Sequence, residues 1–135
     1  MMEETEDVVL MPLDFLPLKT NASIVEGNAL RLNWNNVVSR TRLTYIIGNP
    51  PFVGASMMTS EQKADAVAIF GNINLSNSID YVGAWYYKAA DIMRNTQIHA
   101  ALVSTNSITQ GEQVEPLWRS LFDNKIGRAS CRERV

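Results

Sequence analysis

The amino-acid sequence predicts a layered α/β fold whose sheet is mostly parallel. Two short apolar runs, within residues 44–52 and 98–107, alternate with segments of helical spacing, and each run ends in polar residues. Strands that alternate with helices form parallel sheets, because each crossover returns the chain to the same edge. Ligands of such sheets bind beyond the carboxyl ends of the strands. We therefore expect the polar residues after the two runs to lie near a functional site.

Length and composition limit the functional classes. The chain has 135 residues, 46% of them hydrophobic, which is enough for one domain or part of one. The net charge of −2 lacks the basic excess of a protein that grips nucleic acid through its phosphates. Cys131 has no disulfide partner and no neighbouring ligand at metal spacing, so we expect no metal site. The acidic start and the absence of a long apolar run predict a soluble, cytoplasmic chain that does not bind membranes.

The first third of the chain contains two expected strands. Residues 1–22 are interrupted by prolines and indicate an irregular lead-in. A strand is expected over residues 23–26, followed by a turn at Gly27 and Asn28. A second strand is expected at residues 45–47, because a β-branched apolar run closed by glycine and proline is typical of a buried strand.

The remaining chain alternates helices with one further strand. We expect a helix over 60–70, a loop over 71–78, a helix over 79–94, a strand over 98–104 and a helix over 114–122. Ser60 is the expected N-cap of the first of these helices, since a small hydroxyl residue there precedes apolar spacing. Pro116 falls in the first turn of the last helix, where proline is tolerated.

Several polar and aromatic residues have more than one interpretation. Tyr81, Trp85 and Tyr86 suit a nucleobase-stacking patch, but their helical spacing favours the core. His99 opens a strand and has no Ser, Cys or Asp at a spacing that indicates a catalytic triad. The polar residues 104–107 follow a buried strand, and they either border a binding pocket or cap the loop.

Residues 49–52, Asn-Pro-Pro-Phe, suit chemistry on a planar exocyclic amine. The lone pair of such an amine, for example N6 of adenine, is delocalised into the ring and is a poor nucleophile. Two acceptors aimed at the N–H bonds localise it, and the Asn49 side-chain oxygen and the Pro50 carbonyl offer them on a stiff backbone. Pro51 adds to that stiffness. Phe52 can stack on the base and hold the amine in line with an electrophile, as a flipped nucleotide requires.

The stretch YIIGNPPF resembles the catalytic loop of amino-directed, S-adenosylmethionine-dependent methyltransferases, whose motif is Asn or Asp, Pro, Pro and an aromatic residue. The stretches SIVEGNALRLNW, DYVGAWYYKAADIM and ALVSTNSITQGEQVEPLW are similar to segments of large DNA adenine methyltransferases of bacterial restriction-modification systems. The resemblance implies a partial Rossmann-like fold over residues 23–126, with helices on both faces of the sheet. It implies methyl transfer to N6 of an adenine flipped out of double-stranded DNA. Protein glutamine is the alternative substrate.

The resemblance also implies a cofactor site for S-adenosylmethionine. Asn28 takes the position of a polar residue near the cofactor's adenine, where many relatives have Asp. Ala29 and Leu30 are expected to line the adenine face, and Asn49 borders the cofactor from the catalytic loop. A glycine turn that closes a strand is the alternative explanation for residues 27 and 28.

Two parts of the family's cofactor site are not found in the sequence. The glycine-rich turn after the first strand and the acidic residue that holds the ribose are both missing, as is a target-recognition domain. We therefore expect an internal slice of a larger enzyme, inactive by itself; the alternative is a non-catalytic α/β remnant. Residues 127–135 carry three arginines and no apolar periodicity, which indicates a non-native or disordered tail of adapter-like sequence or a solvated basic tail.

Overall fold

The computed structural model describes residues 22–123, so the expected lead-in up to residue 21 and the tail over 127–135 lie outside it. Seven helices and strands follow in order: α1 (Trp34–Val37), β1 (Tyr45–Gly48), α2 (Ser60–Phe70), α3 (Ile73–Ser78), α4 (Gly83–Met93), β2 (His99–Leu102) and α5 (Val114–Asp123). Two single turns of 3₁₀ helix lie at Ala55–Met57 and Asn106–Ile108. Each 3₁₀ turn follows one of the strands.

The two strands pair in parallel, which confirms the predicted α/β class. Tyr45 lies opposite His99 and Gly48 opposite Leu102, and α2, α3 and α4 form the crossover between the strands. A Cβ atom at position 48 would approach the Leu102 side chain to 3.3 Å, so glycine suits this close pairing. Both loops that follow the strands therefore begin at the same edge of the sheet.

The expected strand over residues 23–26 is wrong. These residues have no regular secondary structure, none of the described residues pairs with them, and the Ile24 side chain is 89% exposed. A strand is held by hydrogen bonds to a neighbour, so a β-branched run without one stays irregular. The adjoining turn at Gly27 does form, and the φ of Gly27, 153°, is one that residues with a side chain rarely adopt.

The helices depart from those expected most clearly at α3 and at the start of α4. Residues 71–78 were expected to form a loop but contain α3, whose N-cap Asn72 accepts a hydrogen bond from the backbone N–H of Asn74 at 2.8 Å. The helix expected from residue 79 begins only at Gly83, because residues 80–82 form a turn in which the Gly83 N–H donates to the Asp80 carbonyl at 2.8 Å.

The hydrophobic core lies between α2, α4 and α5. A Cβ atom at position 83 would lie 2.3 Å from the Ile79 side chain, so only glycine permits this approach at the start of α4. Tyr81 is buried, and Trp85 and Tyr86 pack against the core, as their helical spacing predicts. The largest fully buried side chains are those of Ile79, Val82, Leu117 and Leu121.

The described helices leave one face of the sheet open. Tyr45 and Ile47 point to that face and are 63% and 79% exposed. Within residues 22–123, no helix has the length and apolar character needed to cross a membrane.

Candidate active site

The Asn-Pro-Pro-Phe loop begins where β1 ends. The carbonyl oxygen of Gly48 accepts a hydrogen bond from the N–H of Val103 at 3.0 Å, which extends the strand pairing up to Asn49. Pro50 is buried, whereas the side chain of Asn49 is exposed and Phe52 is 48% exposed. The loop therefore rests on a buried proline and presents an amide and an aromatic ring to solvent.

The segment after Phe52 is fixed by the turn that precedes α4. The N–H of Tyr81 donates to the carbonyl of Val53 at 2.9 Å, and the N–H of Ala55 donates to Oδ1 of Asp80 at 3.0 Å. The loop over residues 49–52 is thus held by hydrogen bonds on both sides.

The second carboxylate oxygen of Asp80 contacts the loop after β2 and the start of α5. Oδ2 accepts hydrogen bonds from Ser107 Oγ at 2.9 Å and Gln113 Nε2 at 2.7 Å. Gln113 returns the contact, since its Oε1 accepts from the Asp80 backbone N–H at 2.9 Å. Residues 104–107 were expected either to border a binding pocket or to cap the loop. In the structure, the Ser107 side chain is hydrogen-bonded to the turn that precedes α4.

The turn around Asn28 is closed by its own backbone and side chain. The Asn28 carbonyl accepts hydrogen bonds from the N–H groups of Arg31 and Leu32 at 2.9 and 3.0 Å. Its Oδ1 accepts from the N–H of Leu30 at 2.9 Å, and its Nδ2 donates to Oδ2 of Asp65 at 3.1 Å. Both ends of the Asn28 amide are therefore engaged.

Lys88 on α4 fixes the carbonyl groups of this turn. Its Nζ donates to the carbonyls of Ala29 and Leu30 at 2.9 and 2.7 Å, and to that of Leu32. Trp34 Nε1 also donates to the Ala29 carbonyl, at 2.8 Å, and the Lys88 ammonium lies 5.4 Å from the Trp34 ring centroid. Burial lowers the pKa of Lys88.

Asp65 on α2 is a buried carboxylate at the centre of a polar cluster. Arg31 donates from Nε to Oδ1 of Asp65 at 2.8 Å and from Nη2 to Glu61 at 2.6 Å, and these carboxylates raise the pKa of Arg31. Burial and, next, the charge of Asp65 raise the pKa of Tyr81, whose hydroxyl lies 3.4 Å from Asp65 Oδ2.

A cavity of about 450 Å³ lies between the Asn28 turn, the loop over residues 49–52 and α2. It brings the expected cofactor residues Asn28 and Ala29 together with Pro51 of the loop. The other lining residues are Glu61, Gln62, Asp65, Tyr81 and Trp85.

The remaining predicted site residues are not among those that line this cavity. The Leu30 side chain is 4% exposed and packs in the core, so it supports the turn from below. Asn49 and Phe52 lie on the exposed part of the loop, beside Pro51. Sequence reasoning did not find Asp65 or Asp80, because each reaches the site only through tertiary contacts.

The groups around the cavity can hold a polar, planar ligand. They offer carboxylate, amide and phenol groups beside the aromatic ring of Trp85. Over the described residues, no group of three or more His, Cys, Asp or Glu side chains is arranged to hold a metal ion. The lining groups themselves offer hydrogen bonding and aromatic stacking as recognition chemistry.

Comparisons with known proteins agree on one family. A sequence model described as the MmeI DNA-methyltransferase domain matches residues 1–131. DNA methyltransferase A of Bacillus subtilis strain 168 is 41% identical over 109 residues, which are 79% of this chain and 12% of the relative. The solved structure of the Type IIL restriction-modification enzyme MmeI in complex with DNA is similar with a TM-score of 0.74 and 49% identity, over 80% of this chain and 15% of that one. The chain thus spans less than a sixth of either relative.

Proposed function

The chain belongs to the MmeI DNA-methyltransferase domain family, and from that premise we propose that it is the part of a DNA methyltransferase that carries the catalytic loop. The reaction is the transfer of a methyl group to N6 of adenine in DNA. The observation that supports it is the loop over residues 49–52, held on both sides at the carboxyl end of β1 and adjoining the cavity through Pro51.

The loop acts on the amine by accepting its hydrogen bonds. The Asn49 side-chain oxygen and the Pro50 carbonyl accept hydrogen bonds from the two N6 N–H groups, so the nitrogen lone pair becomes localised and nucleophilic. The buried Pro50 ring keeps this carbonyl in a fixed orientation. The exposed ring of Phe52 stacks on the flipped base.

S-adenosylmethionine is the proposed methyl donor, and its bound sulfonium supplies the electrophilic methyl group. The residues around the cavity fit such a ligand, because Asn28 and Ala29 lie at one side and Pro51 at another. Asn28 and Ala29 bind the adenine, Leu30 supports their turn from the core, and Asn49 borders the donor from the loop.

The proposed partners are double-stranded DNA with a flipped adenine and the remainder of a longer methyltransferase, including a target-recognition domain. The family, the Bacillus relative and the MmeI complex all carry names that refer to DNA. This agreement favours DNA over protein glutamine as the substrate. We propose a cytoplasmic location, where such DNA is present.

The substitution Asn49→Ala tests the catalytic assignment in the full-length enzyme that carries this segment. Loss of one acceptor at the reacting group is expected to lower kcat about 100- to 1000-fold. The Kd for S-adenosylmethionine should change little, since the amide contacts the amine. Methylation is measured with labelled cofactor on adenine-containing DNA, and a kcat near that of the unchanged enzyme would refute the assignment.

The stacking role of Phe52 is tested by a series of replacements. Phe52→Ala should weaken binding of the flipped base by about 1 to 3 kcal/mol, whereas Phe52→Tyr and Phe52→Trp should retain it, because stacking needs only an aromatic face. Binding is measured with DNA in which the target adenine lies opposite an abasic site. Equal losses in all three variants would contradict stacking.

A further inference from the structure

We propose that Asp80 is a positioning residue for the catalytic loop, a role that rests on the function proposed above for residues 49–52. Its carboxylate lies where the loops after β1 and β2 meet, and it accepts hydrogen bonds from both. Asp80 does not touch the reacting groups in this proposal. It acts by fixing the backbone from which Asn49 and Phe52 project.

The first part of this role is a grip on the downstream end of the loop. Asp80 Oδ1 accepts from the Ala55 N–H at 3.0 Å, and the next residue, Tyr81, donates its N–H to the Val53 carbonyl at 2.9 Å. These bonds begin one residue after Phe52. Because the upstream end is pinned by strand pairing at Gly48, the loop has no free end along which a displacement can relax.

The second part of this role is a connection from the loop to the rest of the fold. Asp80 Oδ2 accepts from Ser107 Oγ at 2.9 Å and from Gln113 Nε2 at 2.7 Å. Gln113 is 7% exposed and lies at the start of α5, which packs in the core. The carboxylate therefore ties the loop to a rigid element rather than to another loop alone.

The orientation of the Gln113 amide suits a side chain at position 80 that only accepts hydrogen bonds. Gln113 Oε1 accepts from the Asp80 backbone N–H at 2.9 Å, so its Nε2 must point toward the Asp80 side chain. All three groups that contact the Asp80 side chain are donors, and a carboxylate suits them because it only accepts, on both of its oxygens. An amide at position 80 would direct its own NH₂ group against a donor, whichever way it is turned.

The first test is a charge exchange between the two partners in the full-length enzyme. Asp80→Asn is expected to lower kcat about 10- to 100-fold, because a loop displaced by a fraction of an ångström misaligns the amine. The Kd for S-adenosylmethionine should change by less than about twofold. Gln113→Glu alone sets two carboxylates together and should also lower kcat. Asp80→Asn combined with Gln113→Glu restores a donor opposite an acceptor, so kcat should return to within about threefold of the starting enzyme.

A second variant removes only the hydrogen bond to the loop. Ala55→Pro deletes the donated N–H while Asp80, Ser107 and Gln113 stay unchanged. The backbone tolerates the replacement, because Ala55 starts a 3₁₀ turn and Gly54 is extended at φ −62° and ψ 149°, as residues before proline prefer. Ala55→Pro should lower kcat with little change in melting temperature. The matched control is Asp91→Asn. Asp91 is an exposed carboxylate on α4 that pairs with Arg94, and its replacement should leave kcat unchanged.

The outcomes separate this proposal from the proposed function. Rescue by the paired exchange, together with a lower kcat for Ala55→Pro, supports positioning. A folded Asp80→Asn variant with an unchanged kcat overturns it, as does a folded paired variant in which kcat is not restored. If Asp80→Asn fails to fold, the paired exchange and Ala55→Pro decide by the same criteria. Asn49→Ala is assayed alongside, and its retained activity would refute the catalytic loop itself rather than the role of Asp80.

Discussion

At the scale of single residues, Asn28 shows how a neighbour decides which polar group suits a position. Its Oδ1 accepts from a backbone N–H and its Nδ2 donates to Asp65, so the amide uses both of its ends. The resemblance implies Asp in many relatives at this position. In this chain a carboxylate there would face the buried carboxylate of Asp65, and an amide avoids that repulsion.

Replacing Asn28 by Asp is therefore expected to destabilise the domain. Asn28→Asp loses the bond to Asp65 and adds a like charge, at a cost of about 1 to 3 kcal/mol in the free energy of unfolding. Asp65→Asn in the same chain should recover most of the loss, since one carboxylate again faces one amide. Denaturant unfolding of the full-length protein measures both effects. An Asn28→Asp variant as stable as the starting protein would contradict this account.

Tyr81 predicts a dependence of stability on alkaline pH. Burial first, and the charge of Asp65 second, raise its pKa above the ordinary value of 10.0, so the folded protein holds the phenol proton more tightly than the unfolded chain does. The resulting stabilisation is complete below about pH 10 and is lost as the pH rises through the folded-state pKa. Tyr81→Phe has no proton to lose there. Its melting temperature should fall less steeply above about pH 10 than that of the unchanged protein, and parallel curves would refute the effect.

At the scale of elements, the start of α2 has a capping signal in its sequence, and the expected N-cap is one residue too late. Thr59, not Ser60, is the N-cap, and its Oγ1 accepts from the Gln62 N–H at 3.2 Å while Gln62 Oε1 accepts from the Thr59 N–H at 3.0 Å. This reciprocal pair is a capping box, for which the spacing Thr-x-x-Gln is the sequence pattern. Ser60 has the right chemistry but lacks the glutamine three residues later.

The capping box gives a prediction with a built-in control. Thr59→Ala should cost about 1 kcal/mol in the free energy of unfolding, because the first turn of α2 loses the acceptor of a backbone N–H. Ser60→Ala, one residue later and inside the helix, should change the free energy by less than about 0.5 kcal/mol. Thermal unfolding of the two variants distinguishes them. Equal losses would show that the serine shares the capping role.

The elements that the sequence predicted are those in which local pattern and tertiary packing agree. The strands β1 and β2 and the helices α2 and α5 follow from apolar periodicity and flanking turn residues. The helix α3 was missed because its sequence, INLSNS, has no apolar stripe, and its start depends on the Asn72 cap. The strand expected over 23–26 did not form for the opposite reason. The local pattern favours a strand, but none of the described residues pairs with it.

At the scale of the whole molecule, the site depends on contacts between segments that are distant in sequence. Motif resemblance identified the loop over 49–52 and the turn at residues 28–30, but no spacing indicated that they adjoin one cavity. In the sequence alone, Asp65 is an ordinary polar residue of an expected helix. Asp80 is an ordinary polar residue near the start of another. Their roles depend on partners 34 to 37 residues away for Asp65 and 25 to 33 residues away for Asp80.

The sheet face that the described helices leave open predicts the behaviour of the 135-residue chain by itself. Tyr45 and Ile47 expose apolar surface there, and exposed β-strand faces promote association. The isolated chain should bind a hydrophobic dye, elute as aggregates in size-exclusion chromatography and methylate no DNA. It should bind S-adenosylmethionine far more weakly than the micromolar Kd that corresponds to about −8 kcal/mol. A monomeric chain with micromolar affinity by calorimetry would overturn this prediction.

The parallel register also has a consequence for the newborn chain on the ribosome. His99 is synthesised about 54 residues after its partner Tyr45, which at about 5 to 20 residues per second is a delay of about 3 to 11 seconds. During that interval α2, α3 and α4 can form, but β1 has no β2 with which to pair. The apolar residues at its centre stay available to molecular chaperones for seconds, and the loop over residues 49–52 acquires its final shape only after the second strand has left the exit tunnel.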